Sequence, residues 1–185
     1  MLETERLILR RWKPTDVEPF AAMNSDPQVM EFFPASLSFK QSAEMALRIE
    51  EGFESQGFGL WTLERRDSGE FIGFTGFNRP KFESHFTPCV EIGWRLAHAH
   101  WGAGYASEAA REALRDGFER LKLAEIVSFT SLLNTRSISV MKKIGMAKDP
   151  QGDFVHPALE PGHRLGPHVL YRLSRANWLG LEQTD

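Results

Sequence analysis

Residues 91–109 read EIGWRLAHAHWGAGYASEA, and the fold turns on how this stretch is parsed. Glu91–Leu96 has the composition of a strand, Gly102 and Gly104 punctuate the chain, and a long helical period then begins. Ala106, Ala109, Ala110, Ala113, Leu114, Gly117, Phe118 and Leu121 form one apolar stripe of that helix. Glu108, Arg111, Glu112, Arg115, Asp116, Glu119 and Arg120 form a charged face expected to be solvated. Main-chain N–H groups at such a helix start have no internal partners and sit at the positive end of the helix dipole, which suits an anion, most naturally a pyrophosphate. The two glycines fit this reading and fit equally a tight strand-to-helix turn. A Walker loop is excluded because no Gly-Lys-Ser/Thr follows. A dinucleotide fingerprint would need Gly or Ala where Ser107 stands and an acid at the end of the next strand, whereas Glu125 lies at its beginning.

Downstream, Ala124 to Leu132 alternates as a strand, so Thr87 to Leu132 is strand, helix, strand, which favours parallel pairing across the crossover. A short helix over Thr135 to Ile144 is bounded by Asn134 and Gly145, and His168 to Leu173 reads as a closing strand with a brief tail at Ala176–Leu179. Upstream, Arg6 to Trp12 predicts a strand ended by Pro14, Thr15 to Asn24 a helix, and Asp26-Pro27 the start of a second helix. Ser38 with Gln41 is a capping-box pattern ahead of Ala43, Ala46, Leu47 and Phe53, with an end expected near Gly57. Leu60–Glu64 and Phe71–Phe77, joined by a turn over Arg66–Gly69, open an antiparallel meander that Thr87–Leu96 continues. Lys148–Gly166, with Pro150, Gly152, Pro157, Pro161, Gly162 and Gly166, is longer than ordinary connections and is a candidate lid.

At 185 residues and 42% hydrophobic content, the chain is expected to form one domain over 1–185. Its 22 basic and 25 acidic side chains give no general attraction for nucleic acid or an anionic membrane. The acidic N-terminus and the lack of a long apolar run argue against export or anchoring, and the single Cys89 suits the cytoplasm, as monomer or homodimer.

Three separated segments carry a resemblance: Glu91–Leu96 with Trp101–Ala109, Asn134–Ser137, and Lys143–Met146. Together with the opening Glu5–Arg10, they resemble the GNAT superfamily of acyl-CoA N-acyltransferases, and within it the RimJ/RimL type, which includes acetyltransferases of protein N-terminal amines. The resemblance implies an α/β (α+β) fold: a mixed, mostly antiparallel sheet with a V-shaped splay between two parallel strands, flanked by helices. It implies acetyl-CoA as co-substrate and no metal. The main chain of Trp94, Leu96 and Ala97 would bind the pantetheine arm, and Trp101, Gly102, Ala103, Gly104, Tyr105 and Ala106 the pyrophosphate. The first position of the family's Q/R-x-x-G-x-G/A motif is Ala99 here. Asn134 matches the asparagine that contacts pantetheine, and Ser137 the serine proposed to protonate the departing thiolate. The position seven residues after Asn134, where many members carry tyrosine, is Met141.

Direct transfer needs a neutral amine. At pH 7 deprotonation costs about 1–1.4 kcal/mol for an α-amine and about 4.6 kcal/mol for a lysine, so an α-amine needs only a weak base. Glu91 is the candidate, acting through water, with a cross-strand ion pair or an anchor for the substrate cation as its alternatives. Glu108 reads as an acid complementing the helix dipole. Cys89 lacks an activating histidine nearby in sequence, and His156, His163 and His168 in or beside the proline-rich segment are candidates for substrate contact or for a metal site, the latter without an i, i+4 pair or a cysteine partner to support it. The expected acceptor is a protein or peptide N-terminal amine. The alternatives are a small-molecule amine and a non-catalytic CoA-binding module.

Overall fold

The structure, a computed structural model, describes residues 1–182. Its main chain divides into two compact units, residues 1–78 with 93–113, and residues 79–92 with 114 onward.

In the first unit, strands β1 (Leu2–Glu3), β2 (Leu7–Arg10), β3 (Leu60–Arg65) and β4 (Phe71–Asn78) pair antiparallel in that order. Strand β5 (Glu91–Leu96) lies beside β4 and runs opposite to it: the Ala97 N–H donates to Ile72 O and the Thr75 hydroxyl to Gly93 O. Gly73 permits this approach, since a Cβ there would lie 2.2 Å from Arg95 O. Helices α1 (Val17–Ser25) and α2 (Phe39–Gln56) supply Phe20, Met23 and Ala46 to a core completed by Val29, Met30 and Phe74. The capping box forms, with Gln41 N–H on Ser38 Oγ at 3.3 Å and Ser38 N–H on Gln41 Oε1 at 2.8 Å.

Two expectations fail in this unit. No helix follows Asp26-Pro27. Asp26 already ends α1, its Oδ1 accepts from Gln28 N–H, and Phe33 N–H bonds Met30 O, so the chain spends these groups on turns before Pro34. Leu47 is exposed, because α2 turns Ser42, Ala46, Ile49 and Phe53 inward instead.

In the second unit, β6 (Glu125–Ser131) and β9 (Pro167–Ser174) pair antiparallel along their length, from Glu125↔Ser174 to Ser131↔His168. Strands β7 (Ala147–Lys148) and β8 (Phe154–Val155) pair with β9. The beginning of β5 runs parallel to β6, with Glu91 opposite Val127 and Val127 N–H on Val90 O. The helices are α4 (Thr135–Lys143), α5 (Arg175–Glu182) and the C-terminal part of α3 (Tyr105–Glu119), whose Phe118 stacks on buried Trp178. The α/β class and the mixed sheet of antiparallel and parallel pairs flanked by helices are those expected.

Asp116 departs from the expected solvated face of α3. It is buried and takes a two-pronged bond from Arg120 one turn on, at 2.6 and 2.7 Å. The stretch 148–166 is also tied down more firmly than an open loop: β8 pairs, Leu165 is buried, and Asp149 accepts from Arg172 Nε at 2.7 Å. No described helix is long and apolar enough to cross a membrane.

Candidate active site

The site residues read from the sequence fall into two groups, one in each unit. In the first unit, β5 ends at Leu96, a single tight turn covers His98–His100, and the chain passes through Trp101–Gly104 into α3. Trp94 is half-buried on β5. Ala97 spends its N–H on Ile72 and its carbonyl on His100 N–H, and Leu96 O accepts the Trp101 indole N–H at 2.9 Å. That bond locks the indole against the core. The main chain then rises into the left-handed region twice, at Gly102 (φ 78°) and Gly104 (φ 86°), with Gly102, Ala103 and Gly104 all exposed. A side chain at either glycine would strain the backbone. The space that a Cβ at Gly102 would enter holds no atom within 4 Å, so the loop's main chain lies open. The first bond of α3 runs from Glu108 N–H to Gly104 O, which leaves the N–H groups of Tyr105, Ala106 and Ser107 at the helix's positive end.

Sequence reasoning passed over what braces this loop. Arg6, which the sequence shows only as part of the opening strand, donates to Ala103 O at 3.0 Å and to Glu108 Oε2 at 2.7 Å, and its guanidinium lies 4.5 Å from the centre of the Tyr105 ring. Thr4 Oγ1 donates to Glu108 Oε1 at 2.6 Å. Burial pushes the Glu108 carboxyl up, but the bonds from Thr4 and Arg6 outweigh it and hold the group below the usual carboxylate range. Glu108 is therefore an ionised strut, in keeping with its reading as a helix-start acid. Arg95 likewise turns inward from the quoted stretch. Its Nη1 donates to buried Asn24 at 2.6 Å, its guanidinium lies 3.9 Å from the centre of the Phe33 ring, and burial lowers its pKa to about 10, which leaves it charged at neutral pH.

In the second unit, Asn134 caps α4 by accepting from Ser137 N–H at 3.2 Å. Its amide donates to Thr130 Oγ1 at 3.0 Å and to Ser137 Oγ at 3.1 Å. The second bond occupies a lone pair of the Ser137 hydroxyl and leaves its proton available to donate. Glu91 opens β5 in register with Val127. Cys89 is half-buried, and burial followed by the charge of Glu91 pushes its thiol up to about 11, so it is no thiolate at neutral pH. Among the described residues no group of three or more His, Cys, Asp or Glu is placed to hold a metal ion.

Comparison with known proteins gives this arrangement its family. The model of the acetyltransferase (GNAT) domain matches residues 6–147, and the chain belongs to that family. It is 32% identical over 154 residues, 80% of this chain and 84% of the other, to an uncharacterized N-acetyltransferase, YoaA, of Bacillus subtilis. It is 29% identical over 171 residues, 87% of this chain and 70% of the other, to the FsC-acetyl coenzyme A-N(2)-transacetylase of Aspergillus fumigatus. Among solved structures, a GNAT-family acetyltransferase from Bacillus anthracis superposes with a TM-score of 0.78 at 26% identity, covering 95% of this chain and 98% of that one. The protein is an acetyl-CoA-dependent N-acetyltransferase with the GNAT fold.

Proposed function

We propose that the chain transfers an acetyl group from acetyl-CoA to a primary amine by direct attack in a ternary complex, as one cytoplasmic domain of the RimJ/RimL type. The observation that carries this reading is the open, twice left-handed loop at Gly102 and Gly104 leading into α3, a geometry suited to an anion at the helix start. On this reading Trp101, Gly102, Ala103, Gly104, Tyr105 and Ala106 hold the pyrophosphate through main-chain N–H groups. The main chain of Trp94, Leu96 and Ala97, together with Asn134, serves the pantetheine arm.

When bound, acetyl-CoA supplies the acyl group as a thioester. The remaining work falls to this chain. Glu91 accepts, through water, the proton that the amine must lose, and the Ser137 hydroxyl donates toward the leaving sulfur with its own lone pair held by Asn134. Cys89, held as a neutral thiol, takes no part.

The acceptor is read first as an N-terminal amine, because an α-amine loses its proton at low cost. A small-molecule amine is the second reading, favoured by a half-buried cluster of aromatic and imidazole rings in the second unit. Thiol release from acetyl-CoA, measured against peptides of differing first residue and a panel of small amines with products weighed by mass spectrometry, tests both. Binding of acetyl-CoA without acetylation of any amine would overturn the proposal.

A further inference from the structure

Phe82, Phe86, Phe129 and Phe154 of the second unit pack with ring centroids 4.9–6.1 Å apart. His156 lies 4.8 Å from Phe82, His168 lies 5.4 Å from Phe154, and the two imidazoles are 5.0 Å from each other. Phe86 is buried, while the other five rings are half-buried.

Local hydrogen bonds set the two imidazoles in complementary forms. His168 Nδ1 lies 3.0 Å from Gly166 O, which can only accept, so Nδ1 carries the proton and Nε2 the lone pair. His156 Nδ1 accepts from Ala158 N–H at 3.3 Å, so its proton sits on Nε2. Both rings are half-buried, so with Nδ1 engaged the Nε2 edge of each is the side left for a ligand or for water. Burial also holds both imidazoles below their ordinary range, so they stay uncharged at neutral pH and do not repel an ammonium.

The cluster's place on the sheet links it to the reaction. Side chains alternate along β6, so Phe129 shares a face with Val127, the partner of Glu91, and with Ser131, the partner of His168. Thr130, which is bonded to Asn134, lies on the opposite face. Groups serving the two substrates thus reach the same strand from opposite sides. Asp149, the acid on the neighbouring β7 side, is committed to Arg172, so the rings offer no free carboxylate from that residue to a polycation.

We propose that these rings are the acceptor subsite of the transfer reaction proposed above, and that they select a primary amine bearing an aromatic body. The aromatic body sits among Phe82, Phe129 and Phe154, and an amine N–H donates to His168 Nε2. The phenyl ring faces add attraction for the ammonium form. A free arylalkylamine and a peptide beginning with Phe present the same chemistry, and the experiment separates them.

The test is steady-state kinetics at saturating acetyl-CoA with 2-phenylethylamine, a Phe-first peptide, an Ala-first peptide and spermidine, alongside calorimetry of acetyl-CoA. At least one aromatic amine should exceed both the Ala-first peptide and spermidine in kcat/KM by about tenfold or more. His168→Phe keeps a ring but removes the acceptor nitrogen, and should raise the KM of the preferred amine by about tenfold while leaving acetyl-CoA affinity unchanged. Phe82→Leu should erode the aromatic preference in the same way. Equal kcat/KM across the four amines, or an acceptor KM unmoved by both variants, would overturn the subsite while the transfer reaction stands. Failure of the wild-type protein to bind acetyl-CoA would instead overturn the reading on which the subsite rests.

Discussion

At the residue scale, the proposed mechanism gives Gly104 and Ser137 separable duties. Gly104 is needed for its φ of 86° rather than for lack of room, since a Cβ there would meet only Arg6 Nη2 at 3.5 Å. Gly104→Val should therefore reshape the loop by strain and weaken acetyl-CoA binding by about tenfold or more in calorimetry, because β-branched residues tolerate positive φ poorly. An unchanged affinity would remove the loop from the phosphate site. Ser137→Ala leaves the α4 cap standing, because the capping bond uses Ser137 N–H, while it deletes the hydroxyl that Asn134 orients. Turnover should fall by about tenfold or more with the acetyl-CoA dissociation constant nearly constant, and an unaltered kcat would take Ser137 out of the reaction. The left-handed turn at Gly104 and the cap joining Asn134 to Ser137 were legible because each belongs to a short local pattern whose geometry is set by neighbours in sequence. Arg6 was not, because its partners Ala103 and Glu108 are about a hundred residues away.

At the scale of elements, the sequence showed where period and caps agree and misled where a long-range partner intervenes. Helix α2 has its capping box, and α4 has Asn134 ahead of it and Gly145 behind. Asp26-Pro27 carries the same local signal as a helix start, but the chain there is claimed by α1 behind and Pro34 ahead. Asp116 has the position of a surface charge on α3 and is buried because Arg120 satisfies it. The β2 strand shows the same limit more sharply. Arg10, which the sequence showed only as one residue of the strand predicted over Arg6–Trp12, is buried and bonded to Asp16 at 2.7 and 2.8 Å, to Glu64 at 2.6 Å and to Thr62 at 2.9 Å. Such a network costs desolvation and returns it only if complete. Asp16→Asn should lower stability by about 3 kcal/mol in urea unfolding, and the double variant Arg10→Met with Asp16→Leu should recover much of that loss. A loss below about 1 kcal/mol would mean that Glu64 alone satisfies the guanidinium.

Over the whole molecule, stability should fall with acid in two steps that arise from opposite kinds of group. His156 and His168 are held below the usual imidazole value of about 6.5 by burial, with the charge of His156 also acting on His168. Between their folded and unfolded pKa values the unfolded chain binds more protons, so stability rises with pH through that window and is lost as pH falls below about 6.5. Glu64, Glu108 and Asp149 have lowered carboxyl pKa values, so their contribution is complete above the unfolded range of about 4 and disappears as pH falls through the folded values. The causes differ: at Asp149 the bond from Arg172 leads, whereas at Glu64 and Glu108 burial raises the pKa and the bonds from Arg10, or from Thr4 and Arg6, overcome it. The upper step belongs to the second unit alone, while the lower draws on both units. Urea midpoints followed from pH 8 to 3 should show both steps, and His156→Gln with His168→Gln should flatten the upper one and leave the lower in place. Hydrogen exchange adds the location: between pH 7 and 5.5 the amides of β9 should lose protection before those of β3. If the upper step survived the double variant, another group would carry it, and burial of the two imidazoles among Phe82, Phe129 and Phe154 would not be what makes stability fall below about pH 6.5.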